Sequence, residues 1–243
     1  MKTVSIVIRT MNEKENLKVL LEALCGQKFD GEKEIIVVDN QSDDGTQELA
    51  RSYGVKVLII GKKDFTYPKS INMGVKNTKY PIVILTVGHA IPIGSNWINS
   101  AINHFDDPKV AGVYSTVVPR KPFSFSEVLL YYPRYIIDKM KTPFSVKKAG
   151  KGVFAATNLA LRKDLWEEHN FEETYELGGE DTHWADWAIN QGYKIICDTN
   201  FAVKHSHHLN FWGVVQQVKY WSKLKKPTKF YKKELKFRKD LKF

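Results

Sequence analysis

In the first ninety positions apolar residues come in short unbroken runs, each followed by a stretch with three- and four-residue spacing. "TVSIVI" (3–8) is a β-rich run, and in "NEKENLKVLLEALCGQ" after it Leu17, Leu20, Leu21 and Leu24 recur at helical intervals. "KEIIVVD" (33–39) predicts a second strand, "TQELARSYG" (46–54) a helix closed by Gly54, and "VKVLII" (55–60) a third strand. A helix over about 69–77 then leads to a fourth apolar run at 82–86. Ile/Val strands without alternation are buried on both faces. Their alternation with amphipathic helices implies right-handed crossovers, hence an α/β fold with a mostly parallel, Rossmann-like sheet flanked by helices. Such sheets bind ligands beyond the carboxyl ends of their strands.

The second half is less regular. "VAGVYSTVV" (110–118) predicts a strand, and "FSEVLLYYPRYIIDKM" (125–140) an apolar, aromatic helix with Pro133 as a point for a kink. "VKKAGKG" (146–152) reads as a loop, "GEDTHWADWAINQG" (179–192) as a helix ending at Gly192, and "YKIICD" as a short strand. No apolar run approaches the roughly 18–20 residues that span a bilayer, and the five apolar-rich positions Val4 to Ile8 read as a first strand, not a leader. Cys25 and Cys197 read as two reduced core thiols, which fits a cytoplasmic chain.

Charge divides the chain. The net charge is +10, and residues 219–243 hold 11 Lys/Arg against 2 Asp/Glu, while residues 1–218 hold 26 against 25. The body is near neutral and the tail is a basic appendage. In the tail Phe230, Glu234, Phe237 and Leu241 share a helical face, which predicts an amphipathic helix after Pro227. Basic helices with interleaved aromatics lie on anionic membrane surfaces, so contact with the inner face of the cell membrane is expected for 219–243. A near-neutral body without a nucleic-acid motif gives no expectation of nucleic-acid binding.

Candidate chemistry gathers at strand ends: Arg9-Thr10-Met11-Asn12, Asp39-Asn40-Gln41-Ser42-Asp43-Asp44-Gly45-Thr46, and Gly88-His89. "DNQSDDGT" has neither the glycines of a dinucleotide loop nor the Lys-Ser/Thr of a P-loop. Its acid at the strand tip can accept hydrogen bonds from a base or ribose, and Asp44 or Thr46 can equally just cap the next helix.

Taken in order, "VSIVIRTMNE", "EIIVVDNQSDDGT", "DFTYPKSINMGVKNT", "ILTVGHAIP" and "GGEDTHWADWAINQGY" resemble glycosyltransferase family 2 over about residues 3–208. "DFTYPKSINMG" and the "AIP…W" that follows are similar to its rhamnosyltransferase-like members. The resemblance implies a glycosyltransferase A fold and transfer, with inversion, from a nucleoside-diphosphate sugar to a polysaccharide or lipid-linked glycan. It also implies a domain over 1–210, with a nucleotide part to about 118 and an acceptor part from about 119, before the helical basic extension 211–243.

By that resemblance Thr10, Asn12, Glu13, Asp39 and Ser42 would line the nucleotide pocket, and Lys69, Asn72 and Gly88 would lie near the diphosphate. Asp181 would be the general base, with Gly179, Glu180 and Trp184 toward the acceptor. The family has Pro where this chain has Arg9 and an aromatic residue where it has Met11. Where the family carries an Asp-x-Asp or single Asp for a divalent metal, this chain reads Thr86-Val87-Gly88-His89-Ala90, with no carboxylate. His89 takes that place, and His205 of "VKHSHHLN" matches a later metal-binding histidine, with His207 on its face if the segment is extended. Imidazoles suit Mn²⁺ better than Mg²⁺. A direct His89–diphosphate contact without metal stays open, as does a non-catalytic nucleotide or glycan binder. A sugar-phosphate nucleotidyltransferase is disfavoured because its glycine- and arginine-rich N-terminal loop is missing.

Overall fold

The computed structural model describes residues 1–121, 123–150, 152–207 and 209–224. The predicted amphipathic helix after Pro227 therefore lies outside the described residues. Strands β1 (Thr3–Thr10), β2 (Glu32–Asp39), β3 (Lys56–Ile59) and β4 (Ile82–Val87) alternate with helices α1 (Lys14–Cys25), α2 (Thr46–Ser52) and α3 (Tyr67–Lys76). β5 (Ile91–Pro92), α4 (Trp97–Ile102), β6 (Val110–Tyr114), α5 (Phe125–Lys141) and β7 (Phe144–Val146) follow. The rest comprises β8 (Asn158–Arg162), α6 (Lys163–Glu168), α7 (Glu180–Asn190), β9 (Lys194–Cys197), β10 (Val203–Lys204) and α8 (Phe211–Lys223).

Eight strands form one sheet in the order β3-β2-β1-β4-β8-β6-β9-β7. β1 to β4 are mutually parallel, β8 runs antiparallel between β4 and β6, β9 is parallel to β6, and β7 is reversed at the edge. The first four strands keep their predicted places. The strand predicted over 110–118 stops at Tyr114, because the chain then leaves the sheet to form a strap, with Val118 bridging to Lys204.

Alternate side chains of the parallel strands feed two apolar layers. Val4, Ile6 and Ile8 meet Leu17, Leu20, Leu21 and Leu24 of α1 on one face. On the other, Val7, Val38, Val83 and Leu85 meet Ile71 and Val75 of α3 and Trp184, Ala185 and Ala188 of α7. Both layers exclude water, which is why these strands read as continuous apolar runs.

The expectation of two core thiols holds for Cys197, which is buried, and fails for Cys25, which is exposed. Cys25 is the last residue of α1, one past Leu24, the final buried position of that helix. The helix predicted over 125–140 runs unbroken through Pro133 to Lys141. Helix α8, the start of the predicted tail, packs against the body: Tyr131 and Trp221 meet edge to face at 6.2 Å, and the Tyr220 hydroxyl donates to the Leu177 carbonyl. Among the described residues no helix is long and apolar enough to cross a membrane.

Helix α3 lies so close to the sheet that a Cβ added at Gly74 would stand 2.3 Å from Val7 Cγ1 and 3.1 Å from Val38 Cγ2. Valine has one stiff rotatable bond and cannot yield that distance without moving its strand. Gly74→Ala is therefore expected to lower stability by about 1–3 kcal/mol, the range for overpacking, read as a shift in the urea midpoint; an unchanged midpoint would contradict this packing.

Candidate active site

The carboxyl ends of β1, β2 and β4 form one rim, and their order (β2-β1-β4) makes it a switch point of the sheet. Two loops on this rim are cross-tied. Asn12 N–H donates to Ser42 Oγ at 2.7 Å, and Asp43 N–H donates to Asn12 Oδ1 at 2.9 Å. Asn12 and Gln41 both have positive φ, at 53° and 48°. Together with Phe154 (φ 62°) they are the non-glycine residues so held among the described residues. Backbone in this region costs free energy and concentrates at functional loops.

The β2 loop is built by its own acids. Asp39 has no exposed surface; its carboxylate accepts from Ser42 N–H at 2.9 Å, from Gln47 Nε2 at 2.7 Å and from the Ser42 hydroxyl. Asp39 and Ser42 thus shape the loop, and the surface the loop offers to a ligand comes from its neighbours, Met11 and Gln41 among them. Asp44 accepts from Thr46 N–H and from Lys14 N–H, both near 3.0 Å, joining the starts of α2 and α1. Burial pushes the Asp44 carboxyl up, but these donors more than offset it and hold the group below its ordinary value.

His89 follows β4 through a tight turn. Gly88 N–H donates to the Arg9 carbonyl at 2.9 Å, and a Cβ at Gly88 would stand 2.3 Å from Glu13 Oε2 and 2.7 Å from Thr10 Oγ1. Only glycine leaves room there, so Gly88 serves the close approach of Glu13. Thr10 Oγ1 donates to Glu13 Oε2 at 3.0 Å, and Glu13 Oε1 bonds His89 Nδ1. Nδ1 of His89 is thereby turned to the carboxylate, and the opposite side of the ring presents Nε2. It lies 2.9 Å from His205 Nε2.

The small antiparallel pair β5–β10 explains that encounter. Lys204 sits opposite Ile91 and Val203 opposite Pro92, so the residues just outside the pair, His89 and His205, are drawn together. His207 completes the group, with one ligand atom from each of the three histidines within 4.8 Å of the others. His205 is buried, and burial, with His89, His207 and Arg120 beside it, holds its pKa well below the ordinary histidine value, so it is neutral at pH 7. Three imidazoles with a carboxylate behind one of them make a nitrogen-rich donor set that fits a divalent ion.

Arg120 was not singled out by the sequence. Its Nη1 donates to Asn16 Oδ1 at 3.0 Å and to the His89 carbonyl at 3.4 Å. The strap places it: Val118 N–H donates to Val203 O and His205 N–H to Val118 O. A signal existed in "VVPR", a short apolar run ending in a cation, but only pairing with β10 gives it meaning.

Asp181 stands on the same rim. Antiparallel pairing sets Thr86 opposite Asn158, and the loop before Asn158 supplies Ala156, whose N–H donates to Asp181 Oδ2 at 2.9 Å. Thr182 N–H donates to Oδ1 at 2.6 Å. Burial raises the Asp181 pKa, against the pull of these amides and of the Arg9 charge, and the balance stays above its ordinary value. Arg9 itself lies 4.9 Å over the Tyr67 ring. The position that departs from the family's proline thus places a cation beside the candidate base.

Several predicted site residues go elsewhere. Trp184, expected toward an acceptor, is 0% exposed; it stacks on Phe154 at 5.3 Å and donates its indole N–H to the His169 carbonyl. It is a core residue, because α7 turns that face onto the sheet. Glu180 is likewise buried, and Gly179 (φ 100°) faces the end of α8, where a Cβ would meet the Leu224 carbonyl at 2.3 Å. Asn72, expected near the diphosphate, accepts from Trp166 Nε1 at 3.1 Å and Phe171 N–H at 3.2 Å and donates to the Phe171 carbonyl at 2.8 Å. That amide stitches α3 to the 171–173 loop. Lys69 is exposed in the first turn of α3, which Thr66 caps.

The doubly wound sheet with its strand-end rim, an acid beside Arg9 and a histidine group at the end of β4 define a glycosyltransferase A fold, and solved structures agree. A mannosyltransferase from Pyrobaculum calidifontis, solved with GDP-Man and Mn²⁺, superposes with a TM-score of 0.61 over 83% of this chain and 56% of its own, at 19% identity. Glucosyl-3-phosphoglycerate synthase from Mycobacterium tuberculosis gives 0.59 over 86% and 72%, at 14% identity. The family model for glycosyl transferase family 2 matches residues 5–169, and the chain belongs to that family. Glycosyltransferase AglE of Haloferax volcanii is 27% identical over 198 residues, and the O-antigen chain rhamnosyltransferase RfbN of Salmonella typhimurium 28% over 212. These alignments cover 79% and 84% of this chain but only 63% and 67% of those relatives.

Trp184→Ala is expected to lower stability by about 3–5 kcal/mol, as for large core aromatics, in urea unfolding. A near-wild-type midpoint would return Trp184 to the list of surface contacts.

Proposed function

We propose that the chain is an inverting glycosyltransferase, moving a sugar from a nucleoside-diphosphate donor to a hydroxyl of a polysaccharide or lipid-linked glycan, with Asp181 as general base. The observation that carries this is a carboxylate held by two amides on the strand-end rim, its proton affinity raised by burial. An acceptor hydroxyl attacking the anomeric carbon must lose its proton, and a base with a raised pKa takes it more readily than an ordinary carboxylate. Attack on the face opposite the departing diphosphate inverts the anomeric centre in one displacement.

The nucleotide is assigned to the two cross-tied loops, with Asn12 and the Asp39–Ser42 turn shaping the seat and Thr10 and Glu13 behind it. The diphosphate is assigned to the His89 end of the rim, where Arg120 brings a fixed positive charge, with Lys69 a further cation on α3. His89, His205 and His207 would hold a divalent ion, Mn²⁺ in preference to Mg²⁺, with Glu13 fixing the tautomer of His89. Such an ion, when bound, supplies positive charge opposite the leaving diphosphate. The relatives support the substrate class through the rhamnosyltransferase named for O-antigen chains and the mannosyltransferase solved with GDP-Man and Mn²⁺. Contact of the basic segment 219–243 with the inner face of the membrane would suit a lipid-linked acceptor.

A second reading, a nucleotide or glycan binder without turnover, is favoured by the missing carboxylate at 86–90. One comparison separates the two. Asp181→Asn is expected to cut kcat by about 10²–10⁴, the usual share of a general base, while calorimetric affinity for nucleoside diphosphates stays unchanged. A wild-type chain that turns over no sugar nucleotide would favour the binder. Because the Asp181 pKa is raised, the acidic limb of kcat/KM is expected above the ordinary carboxylate range, with activity lost as pH falls through it. For the ion, Glu13→Gln is expected to weaken Mn²⁺ binding about 10–100-fold in a calorimetric titration, and His205→Ala at least as much.

A further inference from the structure

Helix α5 is built inside out. Its two carboxylates face inward: Glu127 is buried and accepts from His207 N–H at 2.8 Å, and Asp138 is buried against Arg134, 2.8 Å away. Its large apolar residues face water. Phe125, Leu129, Tyr132, Ile136 and Met140 follow one another at intervals of four, three, four and four, so they form a single stripe. Their exposures include 77% for Phe125, 61% for Leu129 and 82% for Met140. The hydroxyl of Ser124 donates to the Leu209 carbonyl, which ties the start of α5 to the start of α8, where Phe211 and Trp212 are also exposed, Trp212 at 70%. A continuous apolar face of this kind marks a binding surface.

Charge selects the occupant. Of the charged residues on α5, Glu127 and Asp138 are buried and Arg134 pairs with Asp138, so the exposed unpaired charges of the helix are the cations Lys139 and Lys141. Lys139 and Lys141 flank the stripe at its exposed end. A second copy would set cation against cation. Residues 225–243, with nine Lys/Arg against two acids, carry the same sign and are no better match. An apolar and aromatic stripe bordered by lysines fits the headgroup boundary of an anionic bilayer, where acyl chains take the apolar residues and acidic headgroups the lysines.

We propose that the exposed face of α5, extended by Phe211 and Trp212, docks on an anionic lipid bilayer. The proposal enlarges the membrane contact assigned to the tail but stands on a separate surface, and it is independent of the sugar-transfer reading. The full chain is sedimented with vesicles of phosphatidylcholine and phosphatidylglycerol (3:1) and with phosphatidylcholine alone. Binding is expected to the anionic vesicles and to be weakened about tenfold or more in 1 M salt, where the Debye length is near 3 Å. Leu129→Glu/Ile136→Glu, with the tail intact, is expected to lower that binding at least tenfold while the melting temperature holds. Should the double variant unfold, Phe125→Ser/Met140→Ser takes its place at the two most exposed large apolar residues of the helix. Folded face variants that sediment like wild type would overturn the proposal and leave the tail as the only anchor. Wild type that ignores anionic vesicles would also overturn it, as would a dimer in light scattering that the face variants convert to monomer.

Discussion

The antiparallel insertion of β8 beside β4 is the constraint on which the rest of the site depends. β1 to β4 alone bring the two loops and His89 to one rim, where Asp39 is already engaged by its own loop and Glu13 by Thr10 and His89. Pairing Thr86 with Asn158 carries Ala156 to the mouth of β4, and the Ala156 amide then fixes Asp181. Phe154, two residues earlier, is fully buried at positive φ and stacks on Trp184. A bulky residue in that region is held by its packing. The apolar stack at the back of α7 thus sets the angle at which its first turn meets the rim.

The histidine group follows the same logic by a different device. Two residues of antiparallel pairing, β5 with β10, join positions 111 and 113 residues apart in sequence, and the strap through Val118 locks the pair and delivers Arg120. Loss of the family's carboxylate is therefore answered by a rebuilt environment. Gly88 makes room, Glu13 fills it, and His89 is left with one nitrogen donated inward and the other aimed at His205. For the ion proposed above, such an arrangement would orient a ligand nitrogen in advance and so lower the reorganisation that binding requires.

The first half of the fold was legible because its strands are buried on both faces and its helices have one apolar stripe; both patterns survive any rearrangement of loops. His89 stood out by position, just past an apolar strand, whereas Asp181 and His205 were singled out through the family resemblance. What escaped were properties set by three-dimensional partners. "NLALR" is a central strand, yet five residues between a loop and a helix carry too little pattern to distinguish it. Trp184 was expected toward an acceptor through the family resemblance, which does not say which way this side of α7 faces. Asn72 likewise sits on the exposed-looking part of α3 until the 171–173 loop closes over it. Arg120 follows a short apolar run whose only meaning comes from its pairing with β10.

Helix α5 shows the same limit in reverse. Its sequence is amphipathic, and the ordinary inference puts the apolar side in the core and the acids in water. The opposite orientation holds because the inward side is not an apolar core: Glu127 caps the helix through Ser124 and receives the His207 amide, so it supports the strand segment that carries the histidine group. A carboxylate buried with several donors is tolerated, whereas one buried without them would be expelled. The polar side of α5 is thus claimed by the backbone beneath the site, and the apolar side is left outward, available to a surface whose chemistry the surrounding lysines select. The orientation of one helix thereby couples the histidine group on its inner side to the docking face on its outer side.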